Sequence, residues 1–175
     1  MLPPDAGLAG ATLAMDDNNT TGRLVGQSYE LVDVPLREGA DPQAALTGLV
    51  GQGVWLVMTD LPADAVLALA KAGTEQGATI FNLAAPDDRL RGPLCRSYLI
   101  HVAPSRAMLA DAVAQYLVWK KWSRWLLVRG SHPDDELLAA AYRRSAKRFG
   151  ADADAAADAV ADAGGAGTRC GGGGG

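Results

Sequence analysis

Four short apolar runs constrain this chain more than any other feature. They lie at Val54–Met58, Ala78–Asn82, Tyr98–Val102 and Trp125–Val128. The first and third are followed by segments with helical spacing of apolar residues, the second by a loop from Leu83 to Arg96 rich in Pro, Asp, Arg and Gly, and Pro133 opens a helix after the fourth. A run of about five apolar or β-branched residues without strict alternation is the pattern of a strand buried on both faces. Strands that alternate with helices imply right-handed βαβ crossovers, because parallel neighbours cannot be joined by a tight turn. The expected fold class is therefore α/β with a parallel sheet.

The helices have readable limits. Leu8, Ala11 and Met15 mark one face of a first helix, with Asp5 as its N-cap and Asn18, Asn19 and Gly22 as its end. Ser28 to Val34 then reads as a strand. Asp41-Pro42 starts a short helix that Gly51 and Gly53 stop. Pro62 or Ala63 opens a helix with the stripe Val66, Leu69, Ala70 and Gly73. Ser105 caps a helix whose Leu109, Ala112, Val113, Tyr116 and Leu117 fall on one face. The helix from Pro133 runs to about Phe149. Residues 151–175 are almost entirely Ala, Asp and Gly, too poor in large apolar side chains to offset the entropy of ordering, so this tail is expected to be disordered.

Charge and composition exclude several function classes. With a net charge of −4 and no dominant basic stripe, the 175-residue chain is not expected to bind nucleic acid. Arg143, Arg144, Lys147 and Arg148 recur at helical spacing and read as a solvated face. Trp119, Trp122 and Trp125 beside Lys120 and Lys121 read as a helix end carrying aromatics and lysines. Cys95 and Cys170 are too few for a disulfide framework or a metal cage. No apolar run is long enough to span a bilayer, and Met1-Leu2-Pro3-Pro4 does not begin a signal peptide.

Two kinds of candidate site remain. Ser131-His132-Pro133-Asp134-Asp135-Glu136 resembles the signature of zinc-dependent N-acetylglucosaminyl deacetylases. That resemblance implies His132 and Asp135 as zinc ligands and Asp134 as general base. Catalytic zinc takes three protein ligands, however, and no histidine follows His132. The same residues also read as a helix start, with Pro at the first position and acids in the first turn. The second kind of site is the set of loops at the carboxyl ends of the strands, where open parallel sheets bind ligands. These loops carry Thr59, Asp60 and Leu61, then Asn82, Leu83, Ala84 and Ala85, then Ser131. Short polar groups and free backbone N–H donors there would suit a small polar or anionic ligand. No set of residues completes a catalytic apparatus, so the expected protein is not an enzyme and no cofactor is implied.

Longer strings carry a family resemblance. The segment Gly10-Ala11-Thr12-Leu13-Ala14-Met15-Asp16-Asp17-Asn18 resembles the first helix of type I periplasmic substrate-binding proteins, and Ser105 to Gly130 resembles the helix and strand that open their second lobe. More narrowly, DNNTTGR at residues 17–23, DLPAD at 60–64, APDDRLRG at 85–92, and PSRAMLADA with QYLVWKKW within 104–122 are similar to one subfamily. It is the ABC-transporter substrate-binding protein associated with pyrroloquinoline-quinone-dependent alcohol dehydrogenase systems.

The resemblance implies a two-lobe, parallel-sheet fold of the periplasmic binding protein type I kind, here incomplete. Residues 2–103 would be first-lobe material lacking its first strand, 104–150 the start of the second lobe, and 151–175 the tail. It also implies a periplasmic, small-molecule-binding protein that delivers its solute to ABC permease subunits. A receptor-like sensing domain of the same fold is the alternative within the family.

Overall fold

The computed structural model describes residues 6–37 and 39–154, and the chain divides into two compact units, Met1–Ala103 and Pro104–Gly175. The Asp5 cap and most of the Ala/Asp/Gly tail lie outside the described residues.

In the first unit, helix α1 spans Ala6–Val25, α2 Pro42–Gly51 and α3 Ala63–Gln76. Strands β1 (Leu56–Thr59), β2 (Thr79–Asn82) and β3 (Leu99–His101) form a parallel sheet in the order β1-β2-β3. A 3-10 turn at Asp88–Arg91 lies in the connection from β2 to β3. Asp41 caps α2 by accepting the Gln43 N–H at 2.9 Å, so the Asp-Pro start reads correctly. In the register, Val57 pairs with Ile80, Ile80 with Leu99, Thr59 with Asn82, and Asn82 with His101. That face meets the stripe of α3: Val66, Leu69, Ala70, Ile80 and Leu99 are buried together with Leu46 and Leu90. Burying a side chain such as Val66 or Leu69 contributes about 1.5–3 kcal/mol.

Three expectations for this unit are corrected. The α1 helix runs through Asn18, Asn19 and Gly22 instead of ending there, and Gly26, at φ +72°, follows its last residue. Gly22 is needed for a close approach: a Cβ there would stand 2.7 Å from the Gln27 carbonyl oxygen. Residues 28–34 form no strand. A strand exists through its ladder. Here the Asn19 side chain takes that role for Tyr29, accepting its N–H at 2.7 Å and donating to its carbonyl at 2.9 Å. Finally, the sheet is not buried on both faces. Leu56, Met58 and Ile100, on the side away from α3, are 69%, 49% and 46% exposed. An apolar run predicts two-sided burial only if a second layer covers it, and none of the described apolar side chains of α1 is buried.

In the second unit, α4 spans Arg106–Trp119, β4 Arg124–Leu126, α5 Pro133–Phe149 and β5 Asp152–Asp154. Ser105 caps α4 by accepting the Met108 N–H. The buried face of α4 is Ala110 and Ala114, not the face of Leu109, Ala112, Val113, Tyr116 and Leu117, of which only Leu117 is half-buried and the rest are exposed. Alpha-helix α5 answers with Ala139, Ala141, Ser145 and Ala146. Small residues on both helices let the backbones approach, so packing selects the Ala face over the more apolar one. Strand β4 is largely exposed as well, with Leu126 73% accessible.

Part of the tail expected to be disordered is ordered: Asp152–Asp154 pairs in parallel with Arg124–Leu126. The ladder needs only backbone groups, such as Asp152 N–H donating to the Ser123 carbonyl at 2.7 Å, and a composition argument does not see them. The aromatic helix end is as read, with Lys120 Nζ 4.3 Å from the Trp119 ring centroid.

The basic face of α5 is less solvated than its spacing suggests. Arg144 and Arg148 reach back to Asp111 of α4 at 2.7 and 2.8 Å, and Ser145 Oγ donates to the same carboxylate at 2.5 Å. The Ser145 hydrogen bond, followed by Arg144 and Arg148, holds the Asp111 pKa below the usual carboxylate range, against the opposing effect of desolvation. A depressed carboxylate pKa contributes stability that is present above the unfolded value and lost as pH falls through the folded one. Asp111→Asn is therefore expected to flatten the acid limb of the melting temperature below about pH 4. Thermal melts from pH 7 to pH 2.5 check this, and an unchanged acid limb would refute it.

Candidate functional site

The carboxyl ends of β1 and β2 bring two of the three candidate loops together in the first unit. Leu83 N–H donates to the Thr59 carbonyl at 3.0 Å, and Thr59 Oγ1 donates to the Phe81 carbonyl at 3.2 Å. Thr59 is 4% exposed and Leu61 packs partly against the core, so neither side chain is free at the surface. Asp60 and Ala84 are exposed. The Asp60 carboxylate stands beside the first turn of α1, with Oδ2 3.7 Å from where a Gly7 Cβ would be.

Asn82 turns inward and organises the loop. It is fully buried, and its Oδ1 accepts the N–H groups of Ala84 at 3.2 Å and Ala85 at 2.8 Å. Its Nδ2 donates to the Ala85 carbonyl at 2.8 Å and faces His101 Nδ1 at 3.1 Å. Three of the loop N–H donors expected to face a ligand are thus used inside the protein: Leu83 by Thr59, and Ala84 and Ala85 by Asn82. The Asp60 carboxylate is an exposed acceptor of this loop cluster. The chain then folds back through the Asp88–Arg91 turn, where Leu90 is completely buried and Arg91 donates to the Ala103 carbonyl. Arg89 pairs with Asp64 at 2.8 Å and with Asp87 at 3.2 Å, both exposed contacts of small energetic weight. Leu90 is the residue that sequence reading passed over. The place of His101 beside Asn82 is set by the strand register, which the sequence does not carry.

Ser131 lies in the second unit, exposed, just before α5. The residues after it form a helix start and no metal centre. His132 Nδ1 accepts the Asp134 N–H at 3.2 Å, and Asp135 accepts the His132 N–H at 3.2 Å, a reciprocal capping box. Asp134 pairs with Arg106 at 2.9 Å, while Glu136 is shared by Arg129 and Arg143. The lone pair on Nδ1 that zinc could take is committed to the backbone, and the proposed base is neutralised by an arginine. Among the described residues no group of three or more His, Cys, Asp or Glu side chains is arranged to hold a metal. The zinc reading of His132, Asp134 and Asp135 is therefore withdrawn. His132→Ala should cost about 1 kcal/mol through the lost cap, with most of it restored in His132→Ser. Urea unfolding of the two variants checks this, and equal losses in both would contradict the capping role.

The comparisons with known proteins agree with this architecture. Residues 5–167 match the periplasmic binding protein family. No curated protein sequence matches the chain. Among solved structures, an ABC transporter substrate-binding protein from Desulfitobacterium hafniense superposes with a TM-score of 0.74 at 18% identity, covering 89% of this chain and 47% of its own. A branched-chain amino acid ABC transporter periplasmic ligand-binding protein from Burkholderia xenovorans gives 0.73 at 20% identity, covering 89% and 41%. A solute-binding protein of an ABC transporter from R. palustris, in complex with benzoate, gives 0.60 at 14% identity, covering 92% and 46%. The chain thus spans less than half the length of these structures, and the likeness fixes the fold as that of type I periplasmic binding proteins. On the match of residues 5–167, the chain belongs to the periplasmic binding protein family.

Proposed function

We propose that this chain is part of the substrate-binding component of an ABC-type importer, acting without catalysis and capturing a small polar solute at the loops Thr59–Leu61 and Asn82–Ala85 of the first unit. The observation that carries this reading is the family match over residues 5–167. The same membership supports permease subunits as partners and a periplasmic location. No helix among the described residues is long and apolar enough to cross a membrane.

The loop chemistry supports a ligand with hydrogen-bond donors. The N–H groups of Leu83, Ala84 and Ala85 bond inward and Asp60 is an exposed acceptor, so an amine or alcohol hydroxyl is better matched there than a bare anion. This suits the subfamily resemblance, in which the solute is linked to pyrroloquinoline-quinone-dependent alcohol oxidation. It also suits an amino acid, and one solved neighbour binds Leu.

Thermal shift and calorimetry with leucine, isoleucine, benzoate and short alcohols test the proposal. Leucine or an alcohol should raise the melting temperature, and Asp60→Asn should weaken that ligand by about 1.5–3 kcal/mol, the worth of a charge-assisted hydrogen bond. No shift with any of these solutes at millimolar concentration would count against solute capture, and binding unaffected by Asp60→Asn would remove Asp60 from the site.

A further inference from the structure

We propose that His101 is a proton-sensitive pin for the Leu83–Arg91 loop: the neutral imidazole fastens the loop to the end of the sheet, and the imidazolium releases it. The protonation state follows from the hydrogen bonds. Two backbone N–H groups, from Ala84 and Ala85, point at one atom of the Asn82 amide, so that atom is the oxygen. The other atom is the nitrogen, a pure donor, and it faces His101 Nδ1 at 3.1 Å. Nδ1 must therefore accept. The second ring nitrogen lies 3.3 Å from the Leu90 carbonyl, a pure acceptor, so Nε2 carries the proton. One neutral tautomer satisfies both partners and ties β3 to the loop at both its ends, through Asn82 and through Leu90.

A second proton has no acceptor. It would sit on Nδ1, directed at the Asn82 NH2 group, and turn a hydrogen bond into an opposition of two donors. Rotating the Asn82 amide to relieve that conflict would set its NH2 against the Ala84 and Ala85 N–H groups instead. The groups around His101 do not welcome charge. On β2 its neighbour is the neutral Asn82, and on β1 the same face carries neutral Thr59. The turn between β2 and β3 contributes the Arg91 guanidinium, with Asp87 and Asp88 at its start. From α3 the first-turn Asp64 is paired with Arg89. Burial, then Arg91, lowers the His101 pKa against a smaller opposing effect of the Leu90 carbonyl. A depressed histidine pKa gives stability that is complete above the ordinary value of about 6.5 and lost as pH falls through the folded value.

The test is amide hydrogen exchange of the full chain, corrected for intrinsic chemistry, from pH 8 to pH 5. Imidazole NMR reports the titration, and the chain has just two histidines, so His132 serves as an internal reference. Protection of the Ala84 and Ala85 amides should fall roughly tenfold as His101 protonates, the equivalent of one buried hydrogen bond. His101→Gln, which can accept from Asn82 and donate to Leu90, should keep the loop protected throughout. His101→Arg should leave it unprotected even at pH 8, and Asn82→Asp should raise the His101 pKa by offering the proton an acceptor. Protection that stays flat through the His101 titration, or falls equally in His101→Gln, overturns the proposal. No ligand is added, so the outcome is separable from solute capture. The bearing of the loop on binding rests on that proposed function.

Discussion

Replacing Asn82 by Ala should destabilise the first unit by about 3–4 kcal/mol, near the upper end for a single substitution. The side chain is completely buried, and its removal strands four groups at once: the N–H groups of Ala84 and Ala85, the Ala85 carbonyl and His101 Nδ1. A buried polar group left without its partner costs about 1–3 kcal/mol. The sum is not reached, because the loop can open and let water reach some of them. Opening is itself the second expected result: the Ala84 and Ala85 amides should exchange at nearly unprotected rates while the α3 amides stay protected. Asn82→Asp separates the acceptor from the donor role. It keeps an oxygen for both N–H groups but turns a carboxylate toward the Ala85 carbonyl, so stability is regained only where His101 is protonated. Urea unfolding at pH 8 and pH 5 reads this directly. A loss below 1 kcal/mol for Asn82→Ala would mean that the polar cluster does not hold the loop.

The contrast between Asn82 and its sequence neighbours shows what was legible beforehand. The strand and helix order could be read from apolar runs and turn residues, because Val66, Leu69 and Ala70 carry their period in the chain itself. The position of the loops Thr59–Leu61 and Asn82–Ala85 at one edge of the sheet followed from the same reading, since parallel strands all deliver their carboxyl ends to one side. Two things could not be read. Burial on both faces of β1 depends on what covers Leu56 and Met58, a tertiary fact that an apolar run does not encode. The direction of the loop donors depends on one side chain: Asn82 could have faced solvent as a ligand group or turned inward as a scaffold, and only the register that puts His101 beside it decides. The same limit applies to α4, where the most apolar face is exposed and the alanine face is buried. Helix packing there rewards close approach and the Asp111–Ser145 bond over side-chain size. The HPDDE string shows the converse, a motif whose residues are all engaged in starting a helix.

Leu90 is the apolar counterpart of Asn82, and its truncation carries the other large expected effect. It is 0% exposed, yet it belongs to the 3-10 turn of an otherwise polar loop, APDDRLRG, and with Ala85 it is one of two residues of that string buried with the α3 and β2 core. Leu90→Ala removes three carbons from a closed site and should cost about 2–5 kcal/mol, with the upper end applying if the turn cannot collapse into the space. Collapse is restricted here from both sides. The turn is fastened by the Arg91 bond to Ala103 and by the His101 bond to the Leu90 carbonyl, so shifting to fill the cavity would break one of them. Leu90→Met conserves volume and should cost under about 1.5 kcal/mol. The pair distinguishes packing from backbone anchoring: both variants keep the carbonyl that His101 bonds, and only one leaves a cavity. Chemical unfolding should rank them Leu, Met, Ala, and the His101 titration should stay near its wild-type value in Leu90→Met but move toward the ordinary histidine value in Leu90→Ala, as water enters beside the ring. Equal stability of the alanine variant and the parent would show that the turn rests on the surface and that the loop is held by its polar bonds alone.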